Sequence, residues 1–239
     1  MLSRWHFKLS FGSKFIRGAA LIWLTYLQQS LELRRELNQP EYLALTLRDL
    51  GEAYVGIGDY DKALANLTGG LDASRKANDP SVGADISELI GRVLVSQGRL
   101  GAAISAVQDA VKSYRAVQNN SLRLASALKS VADTLAVAGR GAESGKLLDE
   151  AQEMARNLKN DDLNITLASV RGDVAFYQGN LKSAREGYQQ AAALPAKAKQ
   201  RDTAMVSKMN LARVAIAEGG RSPRSTICAP PFNRPKVSI

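Results

Sequence analysis

Apolar residues spaced by three and four run through most of this 239-residue chain, in blocks of 15 to 20 residues divided by short polar breaks. That spacing predicts amphipathic helices. The breaks fall at Asn38-Gln39-Pro40, Asn78-Asp79-Pro80, Asn119-Asn120-Ser121 and Asn160-Asp161-Asp162, residue types that stop one helix and cap the next. No stretch shows the strict apolar/polar alternation of a half-buried strand, so the whole body is predicted to be helical.

A second rhythm overlies the first. Gly18, Gly58, Gly98, Gly139, Gly179 and Gly219 stand at spacings of 40, 40, 41, 40 and 40. A fixed period of this size marks a stacked repeat array. Each glycine is expected to end the first helix of a hairpin, where a positive φ closes the helix without strain. Small residues at Gly51, Gly91, Ala132, Gly172 and Ala212 keep the same phase and are expected where two helices approach closely. Leu50, Tyr54, Leu94 and Leu135 fill the seam beside them, and Ala63, Ala103, Ser144 and Ala184 let the second helix pack back.

The segment Leu50-Gly51-Glu52-Ala53-Tyr54 followed by Gly58-Asp59-Tyr60 and Ala63, with its echoes downstream, resembles the tetratricopeptide repeat in a 40-residue form. The resemblance extends over residues 18–219 and implies an all-α fold, a right-handed α-solenoid of antiparallel helix pairs. It divides the chain into a basic atypical segment at 1–17, a half-repeat at 18–40, and repeats at about 41–80, 81–120, 121–160 and 161–200. A half-repeat at 201–219 and an irregular tail at 220–239 complete it.

Charge changes the picture only at the ends. The formal net charge is +9. Arg4, Lys8, Lys14 and Arg17 lie in residues 1–17, and Arg221, Arg224, Arg234 and Lys236 in residues 220–239, with no acid in either segment. The 24 basic and 23 acidic residues between them leave a body of +1, which lacks the basic stripe that follows phosphates and argues against nucleic acid. The apolar run Gly18 to Leu27 is too short to span a bilayer, which takes about 20 residues. Residues 19–37 match the second helix of a repeat better than a targeting segment, because Leu24, Leu27 and Leu31 align with Leu64, Leu67 and Leu71. A cytoplasmic setting follows; the alternative is targeting or membrane association through the basic N-terminal segment. Pro223, Pro230 and Pro231 replace the second helix due after Gly219. Both ends therefore read as substitutes for lost repeat sequence, as in a fragment, an alternative start or a frame change.

Chemistry is scarce. His6 is the only histidine and Cys228 the only cysteine, which excludes an intrachain disulfide and a cysteine metal cluster. The segment Gly139 to Lys146 fails as a phosphate loop: five residues separate Gly139 from Gly145-Lys146, and Leu147 follows. No catalytic residue, cofactor or metal site is expected.

The resemblance implies a concave groove lined by the first helix of each repeat. Counted from the Gly51 position, one row reads Arg48, Glu88, Lys129, Ser169 and Met209, and the other reads Glu52, Arg92, Asp133, Asp173 and Arg213. Tyr177 and Phe176 add aromatic surface, and Asn210 is a single candidate for holding a peptide backbone. The reading is a non-enzymatic adaptor for a peptide or partner helix. The alternative is a self-association element, in which the helix near Met205 to Ala217 exposes Leu211, Val214 or their neighbours.

Overall fold

A computed structural model describes residues 14–117, 121–193 and 201–219. The basic N-terminal segment with His6 and the tail with Cys228 lie outside the described residues. Ten helices and no strand occur among the described residues. They fall into two compact units, residues 1–97 and 98–239. The first holds α1 (Lys14–Glu36), α2 (Pro40–Ile57), α3 (Tyr60–Lys76) and α4 (Pro80–Ser96). The second holds α5 (Leu100–Val117), α6 (Leu122–Val137), α7 (Gly141–Asn157), α8 (Asp161–Tyr177), α9 (Leu181–Ala193) and α10 (Arg201–Glu218).

The turns obey local chemistry. Gly58, Gly139 and Gly179 have φ of 81°, 78° and 76°. The amide after each of them bonds the carbonyl five residues back: Asp59 to Tyr54, Arg140 to Leu135 and Asn180 to Ala175. Each first helix therefore ends in a left-handed cap that satisfies its orphan carbonyls. Two of the six periodic glycines depart from the expectation. Gly18 lies inside α1, and Gly219 follows α10 without a positive φ. At the breaks between repeats the left-handed residue is Asn38, Asn78 or Lys159, with φ of 48°, 53° and 49°. Asp59, Asp79, Ser121 and Asn160 then cap α3, α4, α6 and α8 through their side chains.

In the first unit α1, α2, α3 and α4 share one core, built on Leu24, Leu27, Leu47, Leu50, Leu67 and Ile86. Gly51 lets α3 close on α2, since a Cβ there would run into the Leu67 side chain. In the second unit α8 is central, packing against α6, α7, α9 and α10. Residues on nearly every side of it are buried, as a helix with neighbours all round requires. Gly172 of α8 and Gly187 of α9 bring these helices together: a Cβ on Gly187 would stand 2.7 Å from the Gly172 nitrogen. In the α6–α7 pair the buried Ser144 hydroxyl donates to the Ala132 carbonyl at 2.6 Å. Ala63, Ala103, Ser144 and Ala184 are fully buried. Ala212, at the same phase as Gly51, is exposed.

These contacts set opposite signs for chemically identical changes. Gly187→Ala forces a methyl into backbone and is expected to cost about 2–3 kcal/mol. Gly145→Ala, on α7 facing open space, is expected to add about 0.5–1 kcal/mol through helix propensity. Urea melts of the two variants check the contrast. Lys159→Asn places a residue tolerant of the left-handed region at that turn and is expected to add about 0.5 kcal/mol in the same assay.

Candidate functional site

In the first unit, the recurring positions stand on α2 and α4. Arg48 is mostly covered: its guanidinium donates to Asp49 Oδ1 at 2.8 and 3.0 Å and lies 3.9 Å from Asp85 Oδ2. Glu52 and Arg92 face each other at 3.9 Å with both side chains more than half exposed, a pairing worth little in water. Glu88 is half-buried on α4. A pocket of about 410 Å³ in this unit is lined by Gln28, Glu32, Tyr54 and Asn66 among others, none of them a member of the recurring rows.

In the second unit the rows converge on something denser. Lys129 and Asp133 stand on α6, Ser169, Asp173 and Tyr177 on α8, and Arg213 on α10. Gly172 sets the geometry. Its missing side chain lets the Tyr188 ring of α9 lie against α8, buried, with only its hydroxyl reaching forward. That hydroxyl donates to Asp173 Oδ1 at 2.7 Å. Asn210 of α10 donates to the same oxygen at 3.3 Å and accepts from Arg213 at 3.0 Å. The Arg213 guanidinium lies 4.7 Å over the Phe176 ring, a cation–π contact. Below this layer the Ser207 hydroxyl donates to Ser169 at 3.2 Å, both residues being buried.

Burial dominates the electrostatics. It pushes the Asp173 carboxyl up to about 6, the charge of Asp133 adds to the rise, and Tyr188, Arg213 and Lys129 oppose it. Burial also raises Asp133, against the pull of Lys129. The hydroxyls of Tyr177 and Tyr188 are raised by burial first and by Asp173 next, with Asp133 adding to the rise at Tyr177. Asp133 accepts no hydrogen bond from the described residues. The result is a pair of half-buried carboxylates poorly supplied with water, each of which gains from a donor or a cation.

Tyr188, Ser207 and Asp85 do not belong to the rows predicted from sequence, and Asn210 stands there only as a candidate for holding a peptide backbone. Tyr188 was findable: it occupies the core position held by Leu67 and Leu148, and a tyrosine there must place its hydroxyl somewhere. Ser207 and Asp85 carried no comparable signal. Among the described residues no group of three His, Cys, Asp or Glu could hold a metal, and no helix is long and apolar enough to cross a membrane.

Helix pairs repeated at this period, with small residues at each close approach, define a helical-repeat solenoid. The model of the tetratricopeptide repeat family matches residues 48–121. Two solved structures share the fold. BtubC (BKLC) from P. vanneervenii is 18% identical, with a TM-score of 0.70 over 92% of this chain and 97% of that one. A Rap protein, solved in complex with competence and sporulation factor, is 13% identical, with a TM-score of 0.60 over 84% of this chain and 60% of that one. No curated protein matches the sequence. The matched residues thus resemble repeats that serve as scaffolds for contacts between proteins.

The raised Asp173 makes the fold sensitive to pH. Below about pH 4 the carboxyl is protonated in both folded and unfolded chains. As pH rises through about 6 the folded form must ionise a buried group, so this contribution to stability is lost. Asp173→Asn keeps an acceptor for Tyr188 and removes the loss. It is expected to be about 1–2 kcal/mol more stable than the parent at pH 7, with the gap closing by pH 4, in urea melts across that range.

Proposed function

We propose that this chain is a non-catalytic adaptor that holds a peptide or partner helix on the face built by α6, α8 and α10, with a lysine or arginine of the partner reaching Asp133 and Asp173. The observation that carries the reading is the half-buried carboxylates of Asp133 and Asp173, both raised by burial, on a recurrent face of a repeat scaffold. Burying carboxylates without a purpose is costly, and an incoming guanidinium or ammonium supplies both charge and donors. Tyr177 and the exposed Met209 provide apolar surface for the stem of such a side chain. Arg213, held over Phe176, and Lys129 flank the pair and would face acidic or carbonyl groups of the partner. The Rap protein of the same fold was solved with a bound factor, which supports ligand capture by such a scaffold. A single cysteine suits a cytoplasmic setting.

In the first unit Glu52 and Arg92 already pair with each other, and Arg48 is held by neighbouring carboxylates. Arg48 in particular is engaged with Asp49 and Asp85, so its reversal would disturb the fold as well as any partner.

A random octapeptide array probed with the full chain tests the reading. Bound peptides are expected to be enriched in lysine or arginine, and Asp133→Ala is expected to weaken the selected peptides by about tenfold or more with no fall in melting temperature. Selection without basic residues, or equal binding by Asp133→Ala, would overturn it.

A further inference from the structure

The first unit shows how this chain satisfies carboxylates on successive first helices, and it does so twice with a guanidinium. Arg48 of α2 donates through Nε and Nη2 to Asp49 Oδ1, while its Nη1 lies 3.9 Å from Asp85 Oδ2 of α4. One planar group thus reaches carboxylates on two helices. Arg92 of α4 faces Glu52 of α2, also at 3.9 Å. The position that holds Glu52 and Arg92 on α2 and α4 holds Asp133 and Asp173 on α6 and α8. Where the first unit sets an acid against an arginine, the second sets an acid against an acid.

The second unit's own cations do not take the missing place. Arg213 donates to Asn210 Oδ1 at 3.0 Å and lies over the Phe176 ring. Lys129 stands one turn before Asp133 on α6 and acts on both carboxyls through its charge alone. Asp173 Oδ1 already accepts from Tyr188 at 2.7 Å and from Asn210 at 3.3 Å, which leaves Oδ2 as its remaining acceptor. Tyr177 follows Asp173 by one turn of α8, is half-buried, and has a hydroxyl that feels both carboxylates.

We infer that the partner group held between Asp133 and Asp173 is an arginine guanidinium, donating from two edges to carboxylates on α6 and α8, and that this face discriminates against lysine; the inference rests on the adaptor function proposed for the same face. Three properties separate the two cations here. A guanidinium carries N–H groups along more than one edge of a plane, so it serves two carboxylates at once, whereas an ammonium is a compact point charge. A guanidinium is also the more weakly hydrated, so it enters a half-buried site at lower cost. Its face stacks on an aromatic ring, and Tyr177 offers one beside the carboxylates, as Phe176 does for Arg213.

The test uses the full chain and synthetic octapeptide libraries that are identical except at their basic positions. These positions carry only arginine, only lysine, or only citrulline, which keeps the shape of arginine without its charge. The arginine library is expected to bind. Its best member is expected to lose about tenfold or more in affinity when its arginine becomes lysine, and more when it becomes citrulline. In Asp133→Asn and in Asp173→Asn one end of the bridge is neutral, so the preference for arginine over lysine is expected to fall to about threefold or less. Should one variant fail to fold by circular dichroism, the other decides. Equal binding of arginine and lysine peptides, both above citrulline, overturns the choice of cation and leaves the adaptor reading standing. Binding that is indifferent to all three residues, or binding to none, overturns both. An arginine preference undiminished in the folded variants places its origin elsewhere and overturns the bridge between Asp133 and Asp173.

Discussion

The close approach of α9 to α8 at Gly172 and Gly187 is the constraint on which the second unit depends. With no Cβ on either residue, the two backbones come near enough for Tyr188 to lie flat against α8. That places a hydroxyl beneath Asp173 and fixes where the carboxylate points. The same approach, in weaker form, recurs where Ser144 hydroxyl meets the Ala132 carbonyl and where Gly51 admits Leu67. A repeat protein has few contacts between distant parts of its sequence, so these local seams carry a large share of its order.

From the seam follows the chemistry. Tyr188 holds one oxygen of Asp173, Asn210 shares it, and Asp133 adds a second charge nearby. Packing keeps water scarce, which raises both carboxyls rather than merely placing them. A surface salt bridge such as Glu52 with Arg92 has no such leverage. The two units thus present the same repeat positions in different electrostatic states, with Glu52 and Arg92 paired in the first and Asp133 and Asp173 raised by burial in the second.

Much of the fold was legible in the residues because its determinants are local. A left-handed cap needs glycine, and Gly58, Gly98, Gly139 and Gly179 supply it on schedule. Caps need short polar side chains, and Asp59, Asp79, Ser121 and Asn160 stand where helices start. Gly18 misled because periodicity alone does not say whether a helix continues through a glycine. The site was legible only as a face. Helical phase places Lys129, Asp133, Ser169, Asp173, Tyr177 and Arg213 on α6, α8 and α10, but the depth of Asp173 and the hand-off from Tyr188 through it to Asn210 depend on neighbouring helices. Likewise the helix near Met205 to Ala217 was expected to expose Leu211 or Val214, whereas Val214 is buried and Leu211 half-buried, because α10 carries apolar residues on two sides.

The most direct test of this account is a carbon-detected magnetic resonance titration of the Asp173 carboxyl in the intact chain and in Tyr188→Phe. The account predicts titration near pH 6 in the parent and at a higher value in the variant, because the lost hydroxyl had favoured the ionised form. Titration near the ordinary value of 3.8 in both chains would contradict it, leaving Asp173 a solvated surface residue and the α6–α8–α10 face without its recognition chemistry.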